Sequence, residues 1–290
     1  MKSAPFEYHA AATLAEALSL KHDLGGDARV LAGGQSLIPL MHFRLATPAA
    51  LVDINPVAEL DYVRRANGHV VIGARTRQAT MLQSEMAASA APLLVEAVGW
   101  VGHAQIRHRG TVAGSVAHAD PSAEIPTAVL ALGGEMVCRS VAGERVVPAA
   151  EFFEGPFTTA VADDEILTEV RVAVWPEGTG AAWMELSRIY HGFPVVGVGA
   201  LVHLSDGVVD RASVALCGMA ATPVLAPAVA DVLAGNEPNA RVIAEAAEAA
   251  VSDLEPPGDI HGSTTYRKKV GRVYVRRALA AAVENAGGFR

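Results

Sequence analysis

A chain of 290 residues, 51% hydrophobic and 19% charged, is long for one core and ordinary for a globular protein, so two or three domains are expected and wholesale disorder is not. Its net charge of -8 argues against a nucleic-acid partner, whose binding rests on Lys and Arg neutralising phosphates. Two cysteines cannot supply the four thiolates of an iron–sulfur cluster or a closed zinc site.

No apolar run approaches the ~18 residues of a membrane span, the longest lying at 193–202, so no membrane insertion is expected. Residues 1–7 lack an apolar export segment, which makes a cytoplasmic location the expectation. In that reducing compartment Cys138 and Cys217 read as small buried hydrophobes.

In chain order, a short strand at 6–9 precedes Thr13-Leu14-Ala15-Glu16, the spacing of a capping box. The helix it opens has Leu14, Ala17, Leu18 and Leu24 on one face and ends at Gly25-Gly26. A strand at 30–32 then runs into Gly33-Gly34-Gln35-Ser36, and a helix at 37–43 and a strand at 51–54 complete a βαβ unit too short for half a Rossmann sheet. Without a Cβ, the two glycines allow positive φ and let an anion approach the backbone N–H groups, with Ser36 capping the helix that Leu37 begins. Such a helix start suits a pyrophosphate, although a plain strand-to-helix turn uses the same residues.

A hairpin follows at 60–64 and 69–73, turned by Asn67-Gly68. Helices are expected at 76–86 and 92–100, and periodicity fails over 101–105. The segment 106–126 is rich in small and polar residues and leads into a helix at 127–132. Strands at 135–139, 145–147 and 166–174 close this region, and residues 175–180 read as a linker at a domain boundary. Beyond it come three strands (182–190, 195–204, 208–217) and then helices (224–233, 240–251, 266–285), an α+β order.

Chemistry is most plausible where small residues and hydroxyls recur. Gly110, Thr111, Gly114 and Ser115 repeat the features of the first glycine loop, and two such loops suggest a two-sided grip on a nucleotide. Its diphosphate would take N–H donors and its ribose a carboxylate, with Asp120 and Glu124 in reach unless they cap the helix after Pro126. His103, His108 and His118 match no metal-ligand spacing, so no metal site is expected. Arg107 and Arg109 suit a phosphate, a partner's carboxylates or plain solvent.

Ala32-Gly33-Gly34-Gln35-Ser36-Leu37-Ile38, followed by Arg107-His108-Arg109-Gly110-Thr111-Val112-Ala113-Gly114-Ser115 and Ala117-His118-Ala119-Asp120-Pro121, resembles the FAD-binding medium subunits of the molybdenum hydroxylases. That family includes the flavoproteins of carbon monoxide dehydrogenase and quinoline oxidoreductase and the flavin domain of xanthine dehydrogenase. The likeness extends to Asp259-Ile260-His261-Gly262-Ser263 before the last helix.

The resemblance implies an α+β chain with a vanillyl-alcohol-oxidase (PCMH)-type FAD-binding fold in two subdomains, 1–56 and 57–176. A C-terminal domain of the carbon monoxide dehydrogenase flavoprotein type would follow over 177–290, with a three-stranded antiparallel sheet and helices. It implies cofactor contacts from Leu31, Ala32, Gly33, Gly34, Gln35, Ser36, Leu37 and Ile38, with the pyrophosphate on 32–36. It adds Val101, and a second loop with Gly110, Thr111, Ala113, Gly114, Ser115 and Ala117. Asp120 or Glu124 would meet the ribose, Glu124 the favoured one, with the backbone near Leu167 and the Phe193 ring at the isoalloxazine. Tyr190 is a second aromatic candidate, set against ordinary strand-core packing.

Three departures stand out. Ala113-Gly114 replaces two glycines, His191-Gly192-Phe193-Pro194 replaces Gly-Asp-aromatic-Ala, and Met184 and Glu185 stand where relatives often have a lysine. The activity implied is electron transfer with no catalytic side chain. Electrons come from a small [2Fe–2S] subunit, a large molybdenum subunit oxidises the substrate, and FAD passes electrons to an acceptor, in a dimer of heterotrimers. A self-contained FAD oxidase and a non-catalytic nucleotide-binding protein are the alternatives.

Overall fold

The computed structural model describes residues 1–190 and 192–287. It opens with β1 (Glu7–Ala10), α1 (Leu14–Leu24), β2 (Ala28–Leu31), α2 (Leu37–His42) and β3 (Ala50–Asp53). The three strands form a parallel sheet in the order β1-β3-β2, and the central β3 is buried throughout, as a parallel strand covered on both faces must be. Thr13 Oγ1 accepts the Glu16 N–H (3.2 Å), and the Glu16 carboxylate accepts the Ala12 N–H (2.7 Å), a shifted form of the expected capping box.

On α1 the buried stripe is Leu14, Ala17 and Lys21. Leu18 and Leu24 are only partly buried, because Lys21 takes the inner position the apolar pattern missed. Its ammonium is tolerated there by donating to the carbonyls of Gly25 (2.7 Å), Ala28 (3.1 Å) and Asp163 (2.5 Å).

The middle of the chain carries β4 (Val63–Ala66), β5 (His69–Gly73), α3 (Gln78–Gln83), α4 (Glu85–Ala90), α5 (Pro92–Trp100), α6 (Ala104–Arg107), α7 (Val112–His118) and α8 (Glu124–Ala131). It continues through β6 (Glu135–Ser140), β7 (Gly143–Pro148), α9 (Ala149–Phe152), β8 (Phe153–Gly155), β9 (Thr158–Thr159) and β10 (Ile166–Ala173). The main sheet has the order β4-β5-β10-β6-β7 and is antiparallel throughout. Asn67 and Gly68 both take positive φ (49° and 77°), as a two-residue hairpin turn requires.

Two expectations are corrected here. The helix expected at 76–86 breaks at Ser84, whose extended backbone (φ -85°, ψ 105°) and hydroxyl cap start α4. The small-residue segment 106–126 holds α7 and the start of α8, so the last helix begins at Glu124 and not at 127.

The C-terminal part comprises β11 (Gly180–Ser187), β12 (Pro194–Ser205), β13 (Val208–Cys217), β14 (Val224–Leu225), α10 (Pro227–Leu233), α11 (Ala240–Ala249) and α12 (Thr264–Asn285). Its sheet has four strands and not three: Val224 and Leu225, expected to be helical, pair with Leu216 and Ala215, and the helix starts at Pro227. Strand alternation splits the sheet between two cores. Ala181, Trp183, Leu201, Ala215 and Cys217 face the core of the preceding region, whereas Ala182, Val198, Ala200 and Val202 pack with α12 and α11 in a second core. Cys138 and Cys217 are both buried free thiols, joined by no disulfide. Among the described residues no helix is long and apolar enough to cross a membrane.

Candidate functional site

The two glycine loops, far apart in sequence, meet at backbone contact. A Cβ on Gly33 would lie 2.5 Å from the Arg109 carbonyl oxygen and 2.7 Å from Gly110 Cα, so only glycine lets the first loop close on the second. Gly34 has φ +73°, turning the chain from β2 into α2.

The helical turn already begins there, since Ile38 N donates to Gly34 O (3.1 Å). Ser36 consequently takes helical dihedrals and makes no side-chain cap, contrary to its expected capping role. The N–H groups of residues 33–37 have no protein partner among the described residues. With only six residues, α2 contributes little dipole; what it offers is a fan of donors. Leu31, Ala32, Leu37 and Ile38 stay half-buried around them, and Gln35 is exposed.

A polar network that the sequence did not flag locks the two loops together. The Asn55 amide donates to Ala32 O (2.8 Å) and to Asp53 Oδ1 (2.5 Å), and Tyr8 donates to Asp53 Oδ2 (2.5 Å). Arg77 completes it, giving one N–H to Asn55 Oδ1 (2.5 Å) and another to the Arg109 carbonyl. Burial and the neighbouring Arg109 charge lower its pKa. Gln78 N also bonds Gly110 O (2.9 Å). The available signal was weak: Asn55 precedes a proline directly after a strand, a place where Asx turns form.

In the second loop Thr111 caps α7, its hydroxyl accepting the Gly114 N–H (2.9 Å). The Ala113 methyl is buried in the core, so at that position only backbone can face a ligand. Ser115 is half-buried and Ala117 exposed. Val101 is half-buried, and its carbonyl and that of Gly102 accept from Arg107 (2.9 and 2.7 Å), which makes Arg107 an internal clip. Arg109 is exposed.

The two carboxylates part company. Asp120 makes an Asx turn to Ser122 N (2.8 Å) and caps no helix, the N-cap of α8 being Ala123. Glu124 opens α8, is 6% exposed, and is pushed by burial up to about 8. Leu167 lies buried in β10, beside a bulge. Phe193 and Tyr190 are each 75% exposed, so neither is strand-core packing; both sit on the β11–β12 connection, of which His191 lies outside the described residues.

Two glycine loops in backbone contact, with N–H groups on the first that have no protein partner among the described residues, are an arrangement that suits the diphosphate of a dinucleotide. Such an arrangement suits FAD. Residues 4–175 match the FAD binding domain in molybdopterin dehydrogenase, and residues 181–282 match the CO dehydrogenase flavoprotein C-terminal domain. The chain is 39% identical to the 6-hydroxypseudooxynicotine dehydrogenase complex subunit alpha of Paenarthrobacter nicotinovorans, over 99% of this chain and 97% of that one. It is 35% identical to the carbon monoxide dehydrogenase medium chain of Hydrogenophaga pseudoflava, over 96% of each. Among solved structures it superposes on carbon monoxide dehydrogenase from that organism with a TM-score of 0.95 (36% identity, 98% and 99% covered). For quinoline 2-oxidoreductase from Pseudomonas putida 86 the score is 0.94 (34% identity, 99% of each chain). The chain belongs to the family of FAD-binding medium subunits of the molybdenum hydroxylases. It is the FAD-carrying electron-transfer subunit of an oxidoreductase complex whose molybdenum and iron–sulfur centres lie on other subunits.

Proposed function

We propose that this chain seats the FAD diphosphate on the N–H groups of residues 33–37 and on the turn at 111–115, with Glu124 toward the ribose side. Phe193 would lie over the ring system, and the backbone near Leu167 beside it. The observation that carries this reading is the backbone contact of Gly33 with Arg109 and Gly110, which brings the second loop against the N–H groups of residues 33–37 that have no protein partner among the described residues. Bound FAD would supply redox chemistry; the chain binds and orients it and excludes water around it. Electrons would enter from a small [2Fe–2S] subunit reduced by a large molybdenum subunit, in a cytoplasmic dimer of heterotrimers. Closed symmetric assemblies are the common outcome for such complexes. The subdomain division 1–56, 57–176 and 177–290 is part of the same reading, supported by the three separate main sheets.

The test is isolation of the chain from its native host. Yellow protein carrying one FAD, co-purifying with an iron–sulfur subunit and inert alone toward organic donors, is the expected result. A lone yellow chain that oxidises a donor would favour the self-contained oxidase. A colourless chain that never takes up FAD would leave the nucleotide-binding alternative.

A further inference from the structure

A relay of two side chains reaches from one glycine loop to the other. Arg77, half-buried just before α3, gives one guanidinium N–H to the Arg109 carbonyl beside Gly110 and another to Asn55 Oδ1 (2.5 Å). Asn55 passes the connection on, giving its NH2 to Ala32 O beside Gly33 (2.8 Å) and to Asp53 Oδ1 (2.5 Å). The partners leave that amide one orientation: a guanidinium only donates, and a carbonyl or carboxylate only accepts, so the Asn55 oxygen faces Arg77 and its nitrogen faces Ala32. Asp53 is held in turn by the Tyr8 hydroxyl (2.5 Å) and by Asn55 N (2.9 Å).

The backbone carries the second loop on the same segment. Arg77 lies opposite Thr111 in an antiparallel bridge, flanked by Gln78 N donating to Gly110 O (2.9 Å) and Val112 N donating to Thr76 O (3.2 Å). Charge adds an independent observation. Both Arg77 acceptors are neutral oxygens, and among the described residues no carboxylate forms an ion pair with it: Asp53 is reached through Asn55, and Asp61 lies against Arg75 (3.5 Å). Of the groups whose charge bears on Arg77, the guanidinium groups of Arg75 and Arg109 stand against the carboxylates of Asp53 and Asp61. With Arg77 itself the seam between the loops keeps an excess of positive charge, in a chain whose net charge is -8.

We propose that Arg77 is a positioning residue for the flavin diphosphate: through the Arg109 carbonyl and Asn55 it clamps the two glycine loops so that both present donors to one anion, and its guanidinium charge, paired with no carboxylate, attracts that anion. This rests on the flavin reading above and adds what holds the site in register. A half-buried charge is screened less than an exposed one, so its attraction reaches past its own hydrogen bonds. The planar fork serves two acceptors at a fixed angle, which a lysine ammonium does not. Clamp and charge can therefore be separated: Arg77→Lys keeps the charge without the fork, and Arg77→Met keeps the stem without either.

The experiment titrates apoprotein with FAD by flavin fluorescence between about 0.01 and 1 M salt, where the Debye length falls from about 30 to 3 Å. Arg77→Met should weaken FAD binding by about ten- to a hundredfold at low salt and flatten the salt dependence, which a merely structural role would leave at the wild-type slope. Arg77→Lys and Asn55→Ala should lose affinity but keep that slope. In a cycle with Gly33→Ala, the double variant should lose much less than the two single losses combined, since both open the same seam. Hydrogen exchange of the apoproteins supplies a flavin-independent check: Arg77→Met should speed exchange at Ile38 N on the first loop and at Val112 N on the second together. The proposal is overturned by a folded Arg77→Met protein with wild-type affinity or wild-type salt slope, by additive losses in the cycle, or by unchanged exchange at both sites. Wild type that binds no FAD at any salt, with both exchange rates raised in Arg77→Met, overturns the flavin reading and leaves the clamp standing.

Discussion

At Gly33 the lack of a Cβ is what lets the two glycine loops touch. Gly33→Ala places a methyl 2.5 Å from a backbone oxygen that cannot rotate away, so the two loops must separate. Losing even one donor to a charged phosphate costs about 1.5–3 kcal/mol, so FAD affinity should fall by about ten- to a hundredfold in a flavin titration. Gly68→Ala is the matched control. Its φ of +77° carries the left-handed penalty of about 1–2 kcal/mol, yet nothing lies within 4 Å of the new methyl. It should lower the urea midpoint and leave flavin affinity unchanged; equal affinity losses in both variants would mean that global destabilisation, not the cradle, is being read. The glycines were legible in sequence because only their lack of a Cβ explains them. Arg77, Asn55 and Lys21 were not, since a polar residue satisfied by distant carbonyls leaves no periodic trace.

At the level of elements, two short devices hold the ends of elements in place. Thr111 caps α7, so Thr111→Ala should lower stability by about 1 kcal/mol and Thr111→Ser should restore most of it, measured by urea unfolding. The other device joins the turn before α12 to the ends of β12 and β13. Arg267, 3% exposed, donates to the Val195 and Gly218 carbonyls and to Asp259, while Asp259 Oδ1 accepts from His261 N (2.8 Å) and Gly262 N (3.0 Å). The Arg267 guanidinium, followed by those N–H groups, draws Asp259 down to about 2.

A depressed carboxyl stabilises the fold fully above its unfolded pKa, about 3.9, and loses that contribution as pH falls toward 2. Asp259 is partly exposed, so solvent screening reduces the effect. Stability from pH 5 to pH 3 should therefore fall less steeply in Asp259→Asn than in wild type, and parallel slopes would remove the ion pair from the account. The Asn67-Gly68 hairpin and the long strands β10, β12 and β13 were read correctly because alternation and Asn-Gly are local signals, whereas the two- and three-residue strands β8 and β9 are too short to alternate. The break at Ser84 and the strand at Val224–Leu225 were missed because each depends on a neighbour remote in sequence: Leu225 becomes a strand only by finding Ala215.

On the scale of the whole chain, the two matched segments, 4–175 and 181–282, do not correspond to two independent cores. Trp183, Leu201, Ala215 and Cys217 from the C-terminal sheet belong to the core of the first segment. Glu96 holds Trp183 N, Ser213 donates to Ala131 O (2.8 Å), and Gly218 N donates to Pro121 O (2.9 Å) across the same seam. Separating the segments would expose that apolar face, so the sequence's linker at 175–180 is a break in the matched segments and not in cooperativity. Apoprotein should accordingly melt in one calorimetric transition, and two resolved transitions would contradict the shared core. Both glycine loops belong to the first segment, and α8 packs on β12 and β13 of the second, so FAD held by the loops as proposed should stabilise the entire unit at once. At a hundredfold excess over its Kd the ligand contributes about 2.7 kcal/mol, which for a chain of this size raises the single Tm by about 4–5 °C. Gly33→Ala should melt as one transition too but gain little from the same FAD concentration. A Tm rise in wild type confined to one part of a split transition would place the flavin within a single segment and sever the seam from the site.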